Sequence, residues 1–179
     1  MTDRTIKELT MTFTIPEILA KFRACTTEDE LKKVIWKYQS PVLKMMFQYV
    51  FHPNSHFSFT ELPEFKPDPG PLGLSPNNLT NEMRRLYIFM DSKKIDHDKK
   101  EQLLIQLLES VHPTEAALVG CIFRHDLEIP LLTREVVKSV FPKLRLDNLM
   151  PINEFLLEEI PLNKNDIKRG QEIWSQLNK

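Results

Sequence analysis

The stretch Asp98-Lys99-Lys100-Glu101-Gln102-Leu103-Leu104-Ile105-Gln106-Leu107-Leu108-Glu109-Ser110-Val111-His112-Pro113 decides the fold class. Leu103, Leu104, Leu107, Leu108 and Val111 recur at helical spacing, and Asp98 with Glu101 reads as a capping box. Pro113 then opens the next helix, where a missing N–H costs nothing. The same punctuation runs along the chain. Thr14-Ile15-Pro16-Glu17 opens a helix to about Arg23, and Thr27-Glu28-Asp29-Glu30 opens one with Leu31, Val34, Ile35 and Tyr38 on its stripe. Ser40-Pro41 begins a third, with Val42, Leu43, Met46, Phe47 and Val50 inward until Pro53 stops it. Leu79, Met83, Leu86, Tyr87 and Met90 form a further stripe. Ala117, Leu118, Cys121 and Ile122 are expected inside the helix after Pro113, which runs to about His125. Thr133 caps a short helix carrying Val136, Val137, Val140 and Phe141. No segment alternates with a period of two, so the expected class is all-α.

Six of the thirteen prolines (53, 63, 67, 69, 71 and 76) fall between 53 and 78, which therefore reads as a long proline-rich surface loop. Phe57, Phe59, Leu62 and Phe65 are expected to pin its first half to the body. The organisation is thus one compact multi-helix domain over 1–145 and a C-terminal helical appendage over 146–179, with helices near 152–159 and 165–177.

The chain has 179 residues, 41% apolar and 27% charged, with a formal charge of −1. That excludes disordered and low-complexity classes and argues against a polybasic tail. No stretch is long and apolar enough to span a membrane, and the polar first ten residues lack a signal-peptide pattern, so a cytoplasmic protein with no membrane partner is expected. Cys25 and Cys121 are 96 positions apart, too few and too far for a disulfide scaffold or a cysteine-based zinc site.

Catalytic patterns are absent. Gly70 and Gly73 lie in the proline run rather than between a strand and a helix, and no Gly-x-Ser-x-Gly or Cys-x-x-Cys pair occurs. His52 and His56 are four apart, but Pro53 intervenes and no Glu follows His52, so metal binding is not expected. Glu158-Glu159 reads as a solvated face. The expectation is a protein without enzymatic activity, metal or cofactor.

What remains is local basicity, which the sum conceals. Residues 146–179 carry four basic against six acidic groups, and 51–80 carry one against three, leaving 19 basic against 16 acidic elsewhere. The body has a net charge of +3.

Ser40-Pro41, Phe51-His-Pro-Asn54, Leu62-Pro-Glu-Phe-Lys-Pro67, Leu86-Tyr-Ile-Phe89, Leu104-Ile-Gln-Leu-Leu-Glu-Ser-Val-His-Pro113, Ala116, and Leu132-Thr with Val137 and Phe141-Pro142 resemble an uncharacterised family of small proteins from large tailed bacteriophages. The resemblance covers about 15–145 and brings no activity. The order Ile18-Leu19, Lys32-Lys33, Lys93-Lys94, His125-Asp126-Leu127-Glu128, Val140-Phe141-Pro142-Lys143-Leu144 also resembles the N-terminal helical DNA-binding domain of phage-type ATP-dependent DNA ligases. Such ligases place Gly after the Arg-Asp-Leu segment, whereas Ile129-Pro130-Leu131 stands here, and no Lys-x-Asp-Gly nucleophile motif follows Leu144. Ligation is therefore excluded. The resemblance implies an accessory protein, in the cytoplasm of an infected host cell, that binds duplex DNA through the backbone in replication, repair or recombination. The residues expected to meet phosphates are Lys32, Lys33, Lys93, Lys94, Arg124, His125, Arg134 and Lys138. The alternative is a protein–protein module engaging a phage or host protein through Phe57, Phe59, Phe65 and Trp174.

Overall fold

The computed structural model describes residues 13–146, which are helical with no strand among them. The expected appendage, its two helices and Trp174 lie outside the described residues. No helix among those described is long and apolar enough to cross a membrane.

Local caps set the first three helices. Helix α1 (Ile15–Arg23) starts where the Glu17 carboxylate accepts from the Thr14 N–H at 2.7 Å and its hydroxyl at 2.9 Å. Helix α2 (Glu28–Lys37) is capped by Thr27, whose hydroxyl accepts from the Glu30 N–H at 3.3 Å. Ser40 does the same for α3 (Pro41–Phe51) through the Leu43 N–H at 3.1 Å. Seven of the eleven α3 residues are buried, from Leu43 and Met45 to Val50. A helix with so little polar face has to be covered nearly all round.

The later elements supply that cover. A single turn, α4 (Leu79–Glu82), runs into a 3-10 helix (Met83–Phe89), followed by α5 (His97–Ser110), α6 (Pro113–Phe123) and α7 (Arg134–Val140). Helix α3 packs on α6 and on the 3-10 segment, α1 on α2 and α6, α5 on α6 and the 3-10 segment, and α7 on α2. The 3-10 run departs from the α-helical stripe expected there. Met83, Leu86 and Phe89 are all buried, and a spacing of three lines them up directly above one another when there are three residues per turn. Helix α5 begins at His97 with Asp96 as its cap residue, two residues earlier than the predicted Asp98 cap implies. In α6, Leu118 and Ile122 are buried as expected and Cys121 is half-buried, but Ala116 rather than Ala117 faces inward.

The proline-rich segment closes over the core as anticipated. The Phe57 ring stacks on Phe123 at 4.5 Å, and Phe59 stacks on His97 at 5.1 Å. An isolated antiparallel bridge joins Phe57 to Met90, with Ser58 N–H donating to Phe89 O at 2.8 Å and Asp91 N–H to His56 O at 2.9 Å. Lys100, only 4% exposed, donates to Met90 O at 2.8 Å and to Ser58 Oγ at 3.0 Å, and that hydroxyl donates to Asp91 Oδ1 at 2.8 Å. Further along, Leu62 lies against Gly120, where a Cβ would meet Leu62 Cδ1 at 3.2 Å. Glycine permits that approach.

Two polar features complete the frame. Glu115, 2% exposed at the start of α6, accepts from the Leu79 N–H at 3.2 Å and so ties the starts of α4 and α6 together. Burial pushes its carboxyl up, against the lowering effect of the Leu79 and His112 backbone. At the other end of α6, Asp126 N–H donates to Cys121 O and His125 N–H to Ile122 O, both at 3.0 Å. This is a Schellman motif with histidine where glycine is usual, and His125 accordingly has φ of +58°. Its ring offsets the strain by holding Val50 O through Nδ1 at 3.1 Å and lying 5.9 Å from Phe57.

Two outcomes follow from this frame. Because Glu115 binds its proton more tightly folded than unfolded, stability is lost as pH rises from the ordinary carboxylate range through the raised folded value. Glu115→Gln, compared with the parent by thermal melts across that range, should remove this loss; parallel curves would refute it. Replacing His125 by Gly or Ala deletes the ring equally, but only Gly relieves the left-handed backbone. Urea denaturation should find His125→Gly more stable than His125→Ala by about 1 kcal/mol.

Candidate nucleic-acid interface

Leu31 and Ile35 turn α2 toward the core and leave Trp36 off the apolar stripe, 59% exposed. Lys32 precedes Trp36 by one helical turn, and Lys33 precedes Lys37 by another. The indole is braced by Phe141, just past α7, with ring centroids 6.5 Å apart and an interplanar angle of 31°. Phe141 lies 6.3 Å from Phe47 of α3 and beneath the Lys44 ammonium, which is 4.9 Å from its centroid. Three elements, α2, the start of α3 and α7, thus meet at one buried aromatic ring.

That meeting joins two segments with a shared property. Leu31 to Lys44 contains Lys32, Lys33, Lys37 and Lys44 without an acidic residue, and Val136 to Leu146 contains Lys138, Lys143 and Arg145 without one. Lys33, Lys37 and Lys143 are exposed, and Lys32 and Lys44 half-buried. Among the described residues, Lys32, Lys33, Lys44 and Lys143 form no ion pair. The acidic first turn of α2 (Glu28, Asp29, Glu30) bounds this face. Glu30 is engaged there, accepting from the Thr26 N–H at 2.9 Å, a bond that holds its carboxyl low.

Of the eight residues expected to meet phosphates, Lys32, Lys33, Arg134 and Lys138 lie on two helices that pack together, α2 and α7. Arg134 is half-buried and donates to Leu146 O at 2.6 Å, so it fastens α7 to the chain that follows. Arg124 and His125 lie elsewhere, at the end of α6 beside the last turn of α3. Arg124 pairs with Glu128 at 3.6 Å, and the His125 ring is occupied by Val50 O. Lys93 and Lys94 fall in the turn before α5, where Lys93 is half-buried with its ammonium 5.1 Å from the Tyr87 ring. Glu128 has φ of +57°, a conformation that glycine favours, immediately before the Ile129-Pro130 departure from the ligase pattern.

The aromatic residues require correction. Phe57 and Phe59 are buried among Phe89, Phe123 and Tyr49 rather than offered to a partner, because the loop closes α3 and α6 with them. Phe65 is half-buried. Trp36, Lys37, Lys44 and Lys143 were not among the expected site residues. Trp36 carried a signal in its position off the stripe of Leu31, Val34, Ile35 and Tyr38. The tertiary meeting with α7 left none.

A polar cleft of about 310 Å³ lies between the start of α1, the end of the proline-rich segment, α4 and α6. Its polar lining is largely engaged in the fold. Asn77 Oδ1 accepts from Asn78 N–H at 2.9 Å, Asn78 Oδ1 accepts from Asn81 N–H at 2.9 Å, and His112 Nδ1 accepts from Thr114 N–H at 3.2 Å. Asn77 also donates to Glu82. Cys25 and Cys121 are both free thiols. Among the described residues no three His, Cys, Asp or Glu side chains group as metal ligands do.

No curated protein matches the chain. A family model does match, over residues 18–128, from α1 through the Schellman turn that ends α6, and the chain therefore belongs to a family of unknown function, DUF6433.

Proposed function

We propose that this chain is a non-enzymatic accessory protein that binds nucleic acid, duplex DNA included, through the phosphate backbone. The observation that carries the reading is the meeting of two acid-free segments, with seven basic residues between them, around Trp36 and Phe141. Lys32, Lys33, Lys44 and Lys143, which form no ion pair among the described residues, can replace the counterions of a polyanion, and contacts of this kind carry no sequence information. The resemblance to the helical DNA-binding domain of phage-type ligases, and to small proteins of tailed phages, supports the same reading and a role in replication, repair or recombination. The small positive balance of the body implies modest affinity with strong salt dependence.

A protein-binding role draws on a different feature. Leu72 and Leu74 of the proline-rich segment are exposed, Leu74 at 75%. Exposed leucines beside prolines suit an apolar partner groove.

Fluorescence anisotropy with a labelled duplex at several salt concentrations tests the proposal. Log K should fall linearly with log salt, with a slope of roughly −3 to −4 if about four phosphates are met. Lys32→Glu with Lys33→Glu should weaken binding at least about tenfold and flatten the slope, while Lys94→Glu should change little. No binding at low salt, or equal loss from both sets of substitutions, would overturn the assignment of this face.

A further inference from the structure

We infer that Trp36 is a stacking platform for an unpaired base, so that the preferred ligand of the α2–α7 face is single-stranded nucleic acid. This rests on the nucleic-acid reading above and narrows it.

The starting point is where the indole sits. An exposed tryptophan on a lysine-bearing surface is not required by the fold, since Leu31 and Ile35 already anchor α2. Nor is the ring loose. Phe141 braces it from one side and is itself fixed by Phe47 and by the Lys44 ammonium. Such bracing lowers the entropy lost when a ligand stacks on the ring. Lys32 stands one turn before it on the same flank, and Lys33 and Lys37 stand on the other. An aromatic face between cationic side chains matches a strand that alternates flat bases with phosphates.

Duplex and single strand use this arrangement differently. In a duplex the base faces are covered by their neighbours, so a surface indole meets only sugar and phosphate unless base pairs are unstacked. The lysines serve both ligands. Trp36 serves the one whose bases are free, and it therefore discriminates where the charges do not. A protein docking on this face would have to be acidic to match its lysines, and would give no preference between single strand and duplex that depends on Trp36.

The full-length chain carrying Trp174→Phe leaves Trp36 as its one tryptophan. Titrated with an oligothymidine of about 16 nucleotides, it should show quenched fluorescence. In anisotropy assays, Trp36→Ala should lose about ten- to a hundredfold in affinity for the oligothymidine. Its affinity for a duplex of equal length, and the salt slope of that binding, should stay within about twofold of the parent. Trp36→Phe should recover part of the loss, which a merely misfolded variant would not do. Unchanged single-strand affinity in Trp36→Ala, or an equal loss for both ligands, overturns the inference and leaves backbone binding standing. Failure of the unsubstituted chain to bind either ligand at low salt overturns both.

Discussion

Helix α3 is the element to which the rest of the structure answers. With Leu43, Met45, Met46, Phe47, Gln48, Tyr49 and Val50 all buried, it presents apolar surface in nearly every direction, and each direction needs its own cover. Helix α6 takes one side and the 3-10 segment another. Tyr49 meets Phe57 of the proline-rich segment at 5.8 Å, and Phe47 meets Phe141 beyond α7 at 6.3 Å. The long loop is therefore not an ornament on a finished domain. Its first half is part of the wall, held down by the Phe57 and Phe59 rings and by the buried Lys100 ammonium.

The same demand for cover creates the candidate interface. Phe141 is drawn to Phe47 because a buried aromatic pair removes more apolar surface from water than any polar substitute would. In going there it carries Lys138, Lys143 and Arg145 toward α2, about a hundred residues away in sequence. A core contact thus decides which charges become neighbours. Trp36 is left at the seam, covered on one side only.

The helices were legible because their ends are written locally. Thr14 with Glu17, Thr27, Ser40 and Thr133 each state a boundary that the hydrogen bonds honour. In the stripe from Leu79 to Met90, Leu79, Met83, Leu86 and Met90 are buried as expected, but the helix type over Met83–Phe89 was not legible, since apolar residues at spacings of three and four serve an α-helix or a 3-10 helix, and packing on α3 selects between them. Ala116 and Ala117 are indistinguishable by propensity, so the buried one is settled by what lies across the interface. Phe57 and Phe59 were expected both to pin the loop and to recruit a partner; the structure gives them to the core. On the site side, Lys32, Lys33 and Lys138 were visible as basic residues. That α2 and α7 pack together beside Trp36 depends on a contact between distant segments, for which periodicity carries no sign.

A chain with a formal charge of −1 still presents unpaired lysines, and the placement of its carboxylates explains how. Glu17 and Glu30 accept from backbone N–H groups at the starts of α1 and α2, and Glu115 does so from α4. Glu109 accepts from the Lys66 N–H at 3.0 Å, Asp126 from the Glu128 N–H at 2.8 Å, and Asp91 from the Ser58 hydroxyl. Glu82 receives Asn77 and Arg85. These acidic groups close helix starts and fasten loops, and the N–H bonds they accept favour the carboxylate, although burial outweighs those bonds at Glu115. Occupied in that way, they stand apart from Lys32, Lys33, Lys44 and Lys143, which makes near-neutrality compatible with a local cationic surface. The carboxylates that fasten the fold and the lysines left exposed on the α2–α7 face are different sets of residues, even though two basic side chains, Lys100 and Arg134, also serve the fold.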